Sequence, residues 1–450
     1  VAVWEGSDGA LNACAEDPLD AALQEAVESA AGGPLRWHFI RGRDQERLLA
    51  GLADGAGPQL LDAARYREMA EDGPVIAFVN NLIAQAVDER ASDIHIEPGE
   101  FACELRYRID GVLHTRSDFA LERFPAVASR IKLIAGLDIA ERRLPQDGRI
   151  RLRVQGKEID LRVSTVPTMH GESVVMRILD KGGVALDFQK LGFLEDTLKS
   201  FLDVLMLPHG ILLVTGPTGS GKTTTLYAAL QQLNRSDVKI ITAEDPVEFN
   251  IRGINQCQVK SRIGLTFARI LRAMLRQAPN IILVGEIRDK ETAEIAVQAS
   301  LTGHLVLSTL HTNDSASSIT RLIDMGVEPF LLASTLRGVL AQRLVRCLCP
   351  SCRVAHSTSA ADRDNFGLSL PAQLWTAEGC SECARTGYRG RSGIYELFSV
   401  SPELAQLIHD SSAEAVIRDQ ARQGGLSMLR EDGVRHLGTG MTSFEELLRV

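Results

Sequence analysis

The chain contains the stretch Gly216-Pro217-Thr218-Gly219-Ser220-Gly221-Lys222-Thr223, with Thr224 directly after it. This order of residues fits G-x-x-x-x-G-K-[ST], the pattern of a loop that binds phosphate. Residues 211–215 form an apolar, β-rich run typical of a buried strand. Residues 224–233 lack glycine and proline, which favours a helix.

Phosphate binding explains this order of strand, loop and helix. Glycines let the backbone N–H groups of the loop turn towards a phosphate, and the start of the helix adds partial positive charge. We therefore predict that residues 216–224 bind a nucleoside triphosphate, with Lys222 at the β- and γ-phosphates and the Thr223 hydroxyl on Mg²⁺. The alternative is an ordinary tight turn between a strand and a helix.

The composition is that of a globular protein with several domains. The 450 residues are 45% hydrophobic and 24% charged, and they are too many for a single core. The formal net charge of -9 argues against a dedicated nucleic-acid-binding protein, which usually has a basic excess. No apolar run reaches the roughly 18 residues of a membrane span, and we expect no signal peptide. Because the chain begins with Val1, we expect that N-terminal material is missing.

The spacing of apolar residues divides the chain into successive segments. Residues 1–55 hold short mixed elements and are expected to form a small docking or regulatory domain, or a structural cap, before a linker over 56–75. Residues 76–180 combine a helical pattern with alternating strands, which indicates a compact α+β domain. From 181 to 450, continuous apolar strands alternate with helices, which predicts an α/β domain with a largely parallel sheet.

Within the predicted α/β domain over 181–450, residues 347–391 form a cysteine-containing insertion, and residues 392–450 are predicted to be helical. The other predicted helices cover 23–31, 76–87, 124–136, 224–233 and 319–344. The predicted strands cover 37–40, 93–97, 103–109, 112–115, 149–154, 158–163, 174–179, 211–215, 239–242, 281–284 and 305–308.

One apolar strand is followed by an acidic residue that suits hydrolysis. Residues 281–284 lead to Glu286, and in a phosphate-loop enzyme we expect this strand to lie beside the loop. A carboxylate there can orient or deprotonate an attacking water. The alternative is a solvated glutamate at the end of a strand.

A second strand also ends in carboxylates. Residues 239–242 lead to Glu244, Asp245 and Glu248, and Pro246 ends the strand. Three acids at one strand end can hold Mg²⁺ directly or through water. The alternative is a merely acidic loop.

His311 and four arginines are further candidates. His311 follows the strand over 305–308 and can contact a phosphate, although such a histidine is often structural. Arg272 and Arg276 lie four residues apart on one helical face, and Arg162 and Arg177 lie on strands of the preceding domain. Guanidinium groups can stabilise a transferring phosphoryl group from the same or a neighbouring subunit, but most arginines are solvated surface residues.

Four of the eight cysteines form two C-x-x-C pairs, Cys349 with Cys352 and Cys380 with Cys383. Two such pairs, separated by 27 residues, predict a tetrahedral Cys₄ zinc site once the intervening segment folds back. A closed shell of four thiolates leaves no open position, so the zinc is expected to be structural. The alternative is four free thiols, and Cys347 is expected to be a bystander. Without a secretory signal, these pairs indicate a reducing, cytosolic compartment.

These motifs together resemble the secretion ATPase superfamily of type II secretion and type IV pilus assembly, and most of all its GspE-type motors. The resemblance runs from about Val75 to Val450. It rests on the phosphate loop and the cysteine pairs, and on Arg90-Ala-Ser-Asp-Ile-His-Ile-Glu-Pro98, Arg143-Leu-Pro-Gln-Asp-Gly-Arg149, Ile241-Thr-Ala-Glu-Asp-Pro-Val-Glu248, Gly285-Glu-Ile-Arg-Asp289 and Leu307-Ser-Thr-Leu-His-Thr-Asn313.

The resemblance implies a hexameric ATPase with a PAS-like domain (76–180) before a RecA-like motor domain (181–450) and ATP between them. In the pattern of the family, Lys222 and Thr223 bind the phosphates and Mg²⁺, and Glu286 is the catalytic acid. The further site residues that the resemblance implies are Glu244, Asp245 and Glu248 of the acidic box, His311 near the γ-phosphate, and Arg162, Arg177, Arg272 and Arg276, some completing a neighbour's site.

The implied function is ATP hydrolysis that drives pseudopilus assembly and protein export by a type II secretion system. The implied partners are the cytoplasmic part of an inner-membrane protein, bound by residues 1–55, and a membrane platform protein, so the motor would be peripheral at the inner membrane. The zinc insertion favours an assembly or export motor over a retraction motor. The alternatives are a type IV pilus assembly motor, a nucleotide-gated scaffold without significant turnover, and a motor acting on nucleic acid, which the charge opposes.

Overall fold

The structure is a computed structural model that describes residues 2–5, 10–15, 18–40, 67–179, 186–359 and 369–450. Contacts between residues divide the chain into two units, Val1–Asp180 and Lys181–Val450. Most of the predicted linker over 56–75 and part of the predicted docking segment lie outside the described residues. In the described part of the chain, no helix is both long and apolar enough to cross a membrane.

The first unit begins with a small three-stranded sheet. Its strands are β1 (Ala2–Glu5), β2 (Leu11–Ala15) and β3 (Arg36–Phe39), with β2 between an antiparallel and a parallel neighbour. The helix α1 (Ala21–Ala31) connects β2 to β3, and the side chain of Asp20 caps its first turn.

A six-stranded antiparallel sheet forms the rest of the first unit. The strand order is β6-β5-β4-β9-β8-β7, so the sheet's two central strands come from distant parts of the segment. Alternate side chains of these strands pack in one core with the helices α2 (Gly73–Asp88) and α3 (Phe124–Ala135). The strands are β4 (Ala91–Pro98), β5 (Ala102–Ile109), β6 (Val112–Ala120), β7 (Gln146–Val154), β8 (Lys157–Thr168) and β9 (Gly171–Leu179).

The second unit is built on a seven-stranded sheet of order β12-β11-β13-β14-β10-β15-β18. All neighbours are parallel except β18, which is antiparallel to β15 at one edge. Hydrophobic clusters lie on both faces, which explains why the central strands are apolar throughout. The strands are β10 (Gly210–Thr215), β11 (Ile240–Glu244), β12 (Asn255–Gln258), β13 (Ile281–Val284), β14 (Leu305–Leu310), β15 (Leu336–Leu348) and β18 (Tyr388–Ser399).

The remaining strands, β16 (Arg353–Ser357) and β17 (Gln373–Ala377), form a separate antiparallel hairpin. The helices of the second unit are α4 (Phe188–Leu191), α5 (Glu195–Leu205), α6 (Lys222–Leu233), α7 (Phe267–Met274), α8 (Lys290–Leu301), α9 (Ser317–Asp324), α10 (Pro329–Thr335), α11 (Pro402–His409), α12 (Glu414–Gln423), α13 (Leu429–Gly438) and α14 (Phe444–Arg449). These elements confirm the predicted α/β class.

Two predictions of helix were wrong in part. The helices predicted over 319–344 end before β15, a long strand that pairs with β10 and β18. The C-terminal segment predicted to be helical from residue 392 begins instead with most of β18, and its helices start at Pro402. In both places, pairing across the sheet overrides a local apolar pattern that also suits a helix.

Candidate nucleotide site and cysteine cluster

The phosphate loop lies between β10 and α6, as the sequence predicts. Gly216 has φ 150° and Gly221 has φ 87°, and a Cβ at Gly216 would lie 2.4 Å from the carbonyl oxygen of Gln342. Glycine is therefore required at this crossing of the loop and β15. The Ser220 hydroxyl is buried, and it has no hydrogen-bond partner among the residues that the structure describes, so it can donate to a phosphate oxygen.

The ammonium of Lys222 is folded onto its own loop. Its Nζ donates hydrogen bonds of 2.7 Å and 3.0 Å to the carbonyl oxygens of Gly216 and Pro217. Burial lowers the pKa of Lys222 to about 8, although the nearby Glu286 opposes this shift. Thr223 is exposed at the first turn of α6, next to Lys222, where its hydroxyl is accessible to a ligand.

Glu286 and His311 are brought together at the carboxyl edge of the sheet. The Glu286 side chain is 12% exposed, and its Oε2 lies 3.6 Å from Nε2 of His311. Its other oxygen, Oε1, lies 2.5 Å from a guanidinium nitrogen of Arg288. Burial and the charge of Lys222 lower the pKa of His311, so its imidazole favours the neutral form. Lys222, Glu286 and His311 therefore act on one another electrostatically.

The strand that leads to Glu286 does not lie directly beside the strand of the phosphate loop. β14, which leads to His311, separates β13 from β10. The sequence-based expectation was that the strand before Glu286 lies beside the phosphate loop; in the sheet, this strand lies one position away from β10. The charge coupling of Glu286 with Lys222 persists across this intervening strand.

Glu244 and Glu248 differ in their surroundings. Glu244 is 4% exposed, and its carboxylate accepts hydrogen bonds from the hydroxyls of Tyr227 and Thr242. Glu248 is exposed, and its backbone N–H donates to the Tyr227 hydroxyl at 3.3 Å. Asp245 is also exposed. The three acids thus lie in one segment, but one is buried and the other two are exposed.

Arg272 and Arg276 are exposed near the end of α7. Arg272, 53% exposed, pairs with Glu291 of α8 at 2.6 Å, and Arg276 donates to the backbone carbonyl of Arg272 at 3.0 Å. These weak surface contacts leave both guanidinium groups available to another molecule.

Arg162 and Arg177 belong to the first unit, where they form a cross-strand row with Arg149. Arg149 faces Arg162 on β8, which in turn faces Arg177 on β9. All three line a cavity of about 500 Å³, and Asp93 accepts a hydrogen bond from Arg177 at 2.9 Å. Like charges in directly opposite positions repel, so this row favours an anion in the cavity.

The four predicted cysteines form one cluster. Their sulfurs lie within 4.8 Å of one another, with Cys349–Cys380 and Cys352–Cys383 at 3.9 Å and Cys380–Cys383 at 3.8 Å. Four sulfurs placed tetrahedrally at about 2.3 Å from zinc are separated by about 3.8 Å, so this arrangement fits the metal. The hairpin β16–β17 folds the segment between the pairs back on itself.

The hydrogen bonds at Cys383 favour a thiolate, whereas burial raises the pKa of Cys352 to about 12. Burial opposes ionisation of Cys383, but N–H donors of Cys380 and Gly387 outweigh it and lower the pKa of Cys383 to about 7. Cys347 lies outside the set of four, and its sulfur contacts Met441 at 3.6 Å.

Sequence analysis missed several residues around the loop. Gln342 accepts a hydrogen bond from Thr225 at 2.8 Å, and Arg343 donates to Asn313 in the segment of His311. Both lie on β15, where a helix was predicted, so their proximity to the loop had no local signal. Tyr227 lies on the predicted helix, but its partners come from a distant strand.

The matches to known proteins cover most of the chain. A family described as type II/IV secretion system protein matches residues 68–449. The type II secretion system protein E of Xanthomonas campestris is 51% identical, over 98% of this chain and 81% of its own length. The type II secretion system ATPase E of Vibrio cholerae is 51% identical, over 85% of this chain and 76% of its own.

The fold of this chain is also similar to that of a solved structure. The crystal structure of the pilus retraction motor PilT with bound ADP is 26% identical, with a TM-score of 0.54. It covers 82% of this chain and 96% of its own. The similarity therefore extends to the fold and includes a protein that binds a nucleotide.

Proposed function

Because this chain belongs to the type II/IV secretion system protein family, we propose that it is the ATPase of a type II secretion system. It couples ATP hydrolysis to pseudopilus assembly and thereby to protein export. The observation that carries this is the 51% identity to a type II secretion system protein E over 98% of the chain. The type IV pilus alternative is not favoured, because the relatives at this level are type II secretion proteins.

ATP binds with its phosphates in the loop of residues 216–224. Lys222 exchanges its two carbonyl acceptors for β- and γ-phosphate oxygens, and the Ser220 hydroxyl, which has no partner in the described part of the chain, gains an acceptor. The N–H groups at the start of α6 contribute further donors. The Thr223 hydroxyl and acidic side chains would hold Mg²⁺, which would supply positive charge that stabilises the phosphates.

Glu286 accepts a proton from the attacking water. Arg288 occupies Oε1, so Oε2 on the side of His311 is the oxygen that can take the proton. His311, kept neutral by burial and Lys222, can donate or accept a hydrogen bond near the γ-phosphate without adding charge. Glu248, which is exposed and whose backbone N–H contacts Tyr227 of α6, is a second acid for the same site.

The arginines complete the site in an assembly of six chains. Arg272 and Arg276 are exposed and weakly paired, which suits contact with a neighbouring subunit's nucleotide. Arg162 and Arg177 line a cationic cavity suited to phosphate. Guanidinium groups stabilise the charge that develops during phosphoryl transfer.

The four-cysteine cluster holds a structural zinc ion. The sulfur separations of 3.8–3.9 Å fit tetrahedral coordination, and four thiolates leave no position for a substrate. Zinc therefore stabilises the segment 347–391 and takes no part in hydrolysis.

The domains have separate tasks in this proposal. Residues 1–55 dock onto the cytoplasmic part of an inner-membrane secretion protein, and 56–75 act as a linker. Residues 76–180 form the PAS-like domain and 181–450 the RecA-like motor, which works on a membrane platform protein. The ATPase is accordingly cytoplasmic and peripheral at the inner membrane, and it has no nucleic-acid partner.

The substitution Glu286→Gln tests the catalytic assignment. It keeps the size of the side chain and the contact with Arg288 but removes the proton acceptor, so kcat should fall by about 10²–10⁴-fold. ATP binding, measured by calorimetry or a fluorescent nucleotide, should persist. Undiminished turnover of this variant would remove Glu286 from catalysis.

A matched control is Glu294→Gln, an exposed acid on α8 that pairs only weakly with Lys290 at 3.6 Å. This variant should retain parental turnover. If the parent protein itself binds ATP but shows no hydrolysis as an assembled hexamer, the nucleotide-gated scaffold is the better description.

A further inference from the structure

Both carboxylate oxygens of Glu244 are engaged by protein donors. Oε2 accepts from the hydroxyl of Tyr227, while Oε1 accepts from the hydroxyl of Thr242 and from Nε2 of Gln256 at 3.1 Å. A carboxylate that is 4% exposed requires such donors, because a buried charge without partners is strongly unfavourable.

Tyr227 links this carboxylate to the phosphate loop and to the acidic segment. It lies on α6, five residues after Lys222, and is 1% exposed. Its hydroxyl donates to Glu244 and accepts the backbone N–H of Glu248 at 3.3 Å. Its ring packs edge-on against Phe249, with 4.6 Å between ring centroids.

The network therefore joins three elements at one point. α6 carries the phosphate loop, β11 ends at Glu244, and the following segment carries Glu248. Gln256 on the edge strand β12 adds a fourth element, since its amide also lies 3.4 Å from the Tyr227 hydroxyl. A shift of α6 relative to β11 would break several of these bonds together.

Metal binding would compete with this network. Mg²⁺ needs oxygen ligands with free lone pairs and near-octahedral geometry. Three of the roughly four lone-pair positions of the Glu244 carboxylate already accept hydrogen bonds, and the residue is buried, so a metal could reach only the remaining position on Oε2, beside the Tyr227 hydroxyl. Asp245 and Glu248 are exposed and do not have this restriction.

We propose that Glu244 and Tyr227 form a positioning pair that fixes the acidic segment 245–248 relative to the phosphate loop, and that Glu244 is not a metal ligand. The inference rests on the proposed ATPase function and assigns a different role to one acid of that site. Glu244 acts through the placement of Glu248 rather than on the nucleotide itself.

Tyr227→Phe removes one hydroxyl and keeps the ring against Phe249. We expect kcat to fall by about 10–100-fold with KM for ATP within about twofold, because misplaced groups lower turnover more than ground-state binding. Glu244→Gln should give a similar loss. The double variant should be little worse than either single variant, since both break one unit.

The dependence on Mg²⁺ separates positioning from metal binding. The Mg²⁺ concentration for half-maximal activity should be unchanged in both single variants. An increase of about tenfold or more in Glu244→Gln alone, with additive losses in the double variant, would identify Glu244 as a ligand and overturn the proposal.

Tyr107→Phe is the matched control. Tyr107 is fully buried in the first unit, and its hydroxyl donates to the carbonyl of Leu82 at 2.7 Å. This variant loses a comparable buried hydrogen bond and should keep the parental kcat. Circular dichroism and thermal unfolding verify that each variant is folded.

The outcomes distinguish this inference from the proposed function. If the parent hydrolyses ATP and Tyr227→Phe does so equally fast, the positioning role is refuted while the ATPase stands. If the parent shows no ATP hydrolysis, the proposed ATPase function itself is refuted, and the positioning role has no reaction to act on. Should Tyr227→Phe not fold, Thr242→Val tests the same carboxylate, and parental kcat in that variant would refute the role.

Discussion

Lys222 combines a charge with burial, and this combination governs its response to pH. The residue is 9% exposed, and its ammonium donates to two loop carbonyls rather than to a carboxylate. Burial lowers the pKa of Lys222 to about 8, and the charge of Arg343 lowers it further, while Glu286 opposes both. The side chain therefore begins to lose its proton within a pH range that is accessible to experiment.

ATP affinity should weaken as pH rises through about 8, because deprotonated Lys222 no longer attracts the phosphates. Bound phosphates favour the charged form and raise the pKa, so binding above pH 8 should be accompanied by proton uptake, and binding at pH 7 should show little from this group. Calorimetry in buffers with different ionisation enthalpies measures this uptake.

Lys222→Arg keeps a charge at every pH in this range. Its affinity can be lower, because the guanidinium has another shape, but its uptake of protons above pH 8 should vanish. Equal uptake by the two proteins would show that another group titrates on binding.

Residues near one another in sequence were the predictable part of the site. Lys222, Thr223 and Ser220 belong to one short loop, and phosphate binding requires these residue types in this order along the sequence. Gln342 and Tyr227 became visible only in the structure, since their partners lie on other strands and no local pattern reports such contacts.

At the level of secondary structure, the cysteine cluster depends on a hairpin. β16 and β17 pair between the two C-x-x-C turns and bring them together. This hairpin and its turns have a small apolar core, which Leu374 shares with residues of the C-terminal helices. A bound metal is therefore expected to supply much of the local stability.

The protein should contain one zinc ion per chain, and Cys380→Ser should lose both the metal and the folding of residues 347–391. Binding energies of about 10–16 kcal/mol in small zinc modules exceed what this segment can replace. Elemental analysis and limited proteolysis measure the two effects, and ATP binding should survive.

Cys347→Ser is the control, because Cys347 contacts Met441 outside the four-sulfur cluster. It should retain zinc and protease resistance. Absence of zinc from parent protein prepared without chelators would contradict the site.

Strand β15 shows why some elements were predicted incorrectly. Its apolar residues Leu336, Val339 and Leu340 have helical spacing, yet they lie between β10 and β18 in the sheet. The central strands β10, β13 and β14 were predictable, because short β-rich apolar runs have few other uses. Pairing with β10 and β18 was needed only for β15, whose apolar pattern suits both a helix and a strand.

For the molecule as a whole, the change in pattern along the chain matches its two units. Alternating strands up to about residue 179 form the antiparallel sheet, and continuous apolar strands afterwards form the parallel one. The sequence could not predict which arginines act on the nucleotide of their own subunit and which on that of a neighbour, because this depends on contacts between subunits.

Mixing inactive subunits tests whether Arg272 acts in a neighbouring site. Equal amounts of Lys222→Ala and Arg272→Ala chains should recover activity at roughly a quarter of the sites of a closed ring, since an intact loop then meets an intact arginine by chance. Steady-state hydrolysis after co-assembly measures the recovery.

A mixture of Lys222→Ala with Glu286→Gln is the control, because both residues act from the same chain in this proposal. It should stay inactive. Failure of the arginine mixture to recover, although hexamers form, would place Arg272 in its own subunit's site.

The pairing of β15 with β18 also bears on how the protein is made. β18 continues the sheet from Gly338 opposite Ser399 to Leu348 opposite Tyr388, with the cysteine module between the two strands. During synthesis, the first unit is complete long before β18 leaves the ribosome. Until then, the edge of β15 that later pairs with β18 is unpaired and can pair with a wrong strand. Zinc bound early by Cys349, Cys352, Cys380 and Cys383 would shorten this period, because an ordered cysteine cluster would hold β18 close to β15 as it emerges.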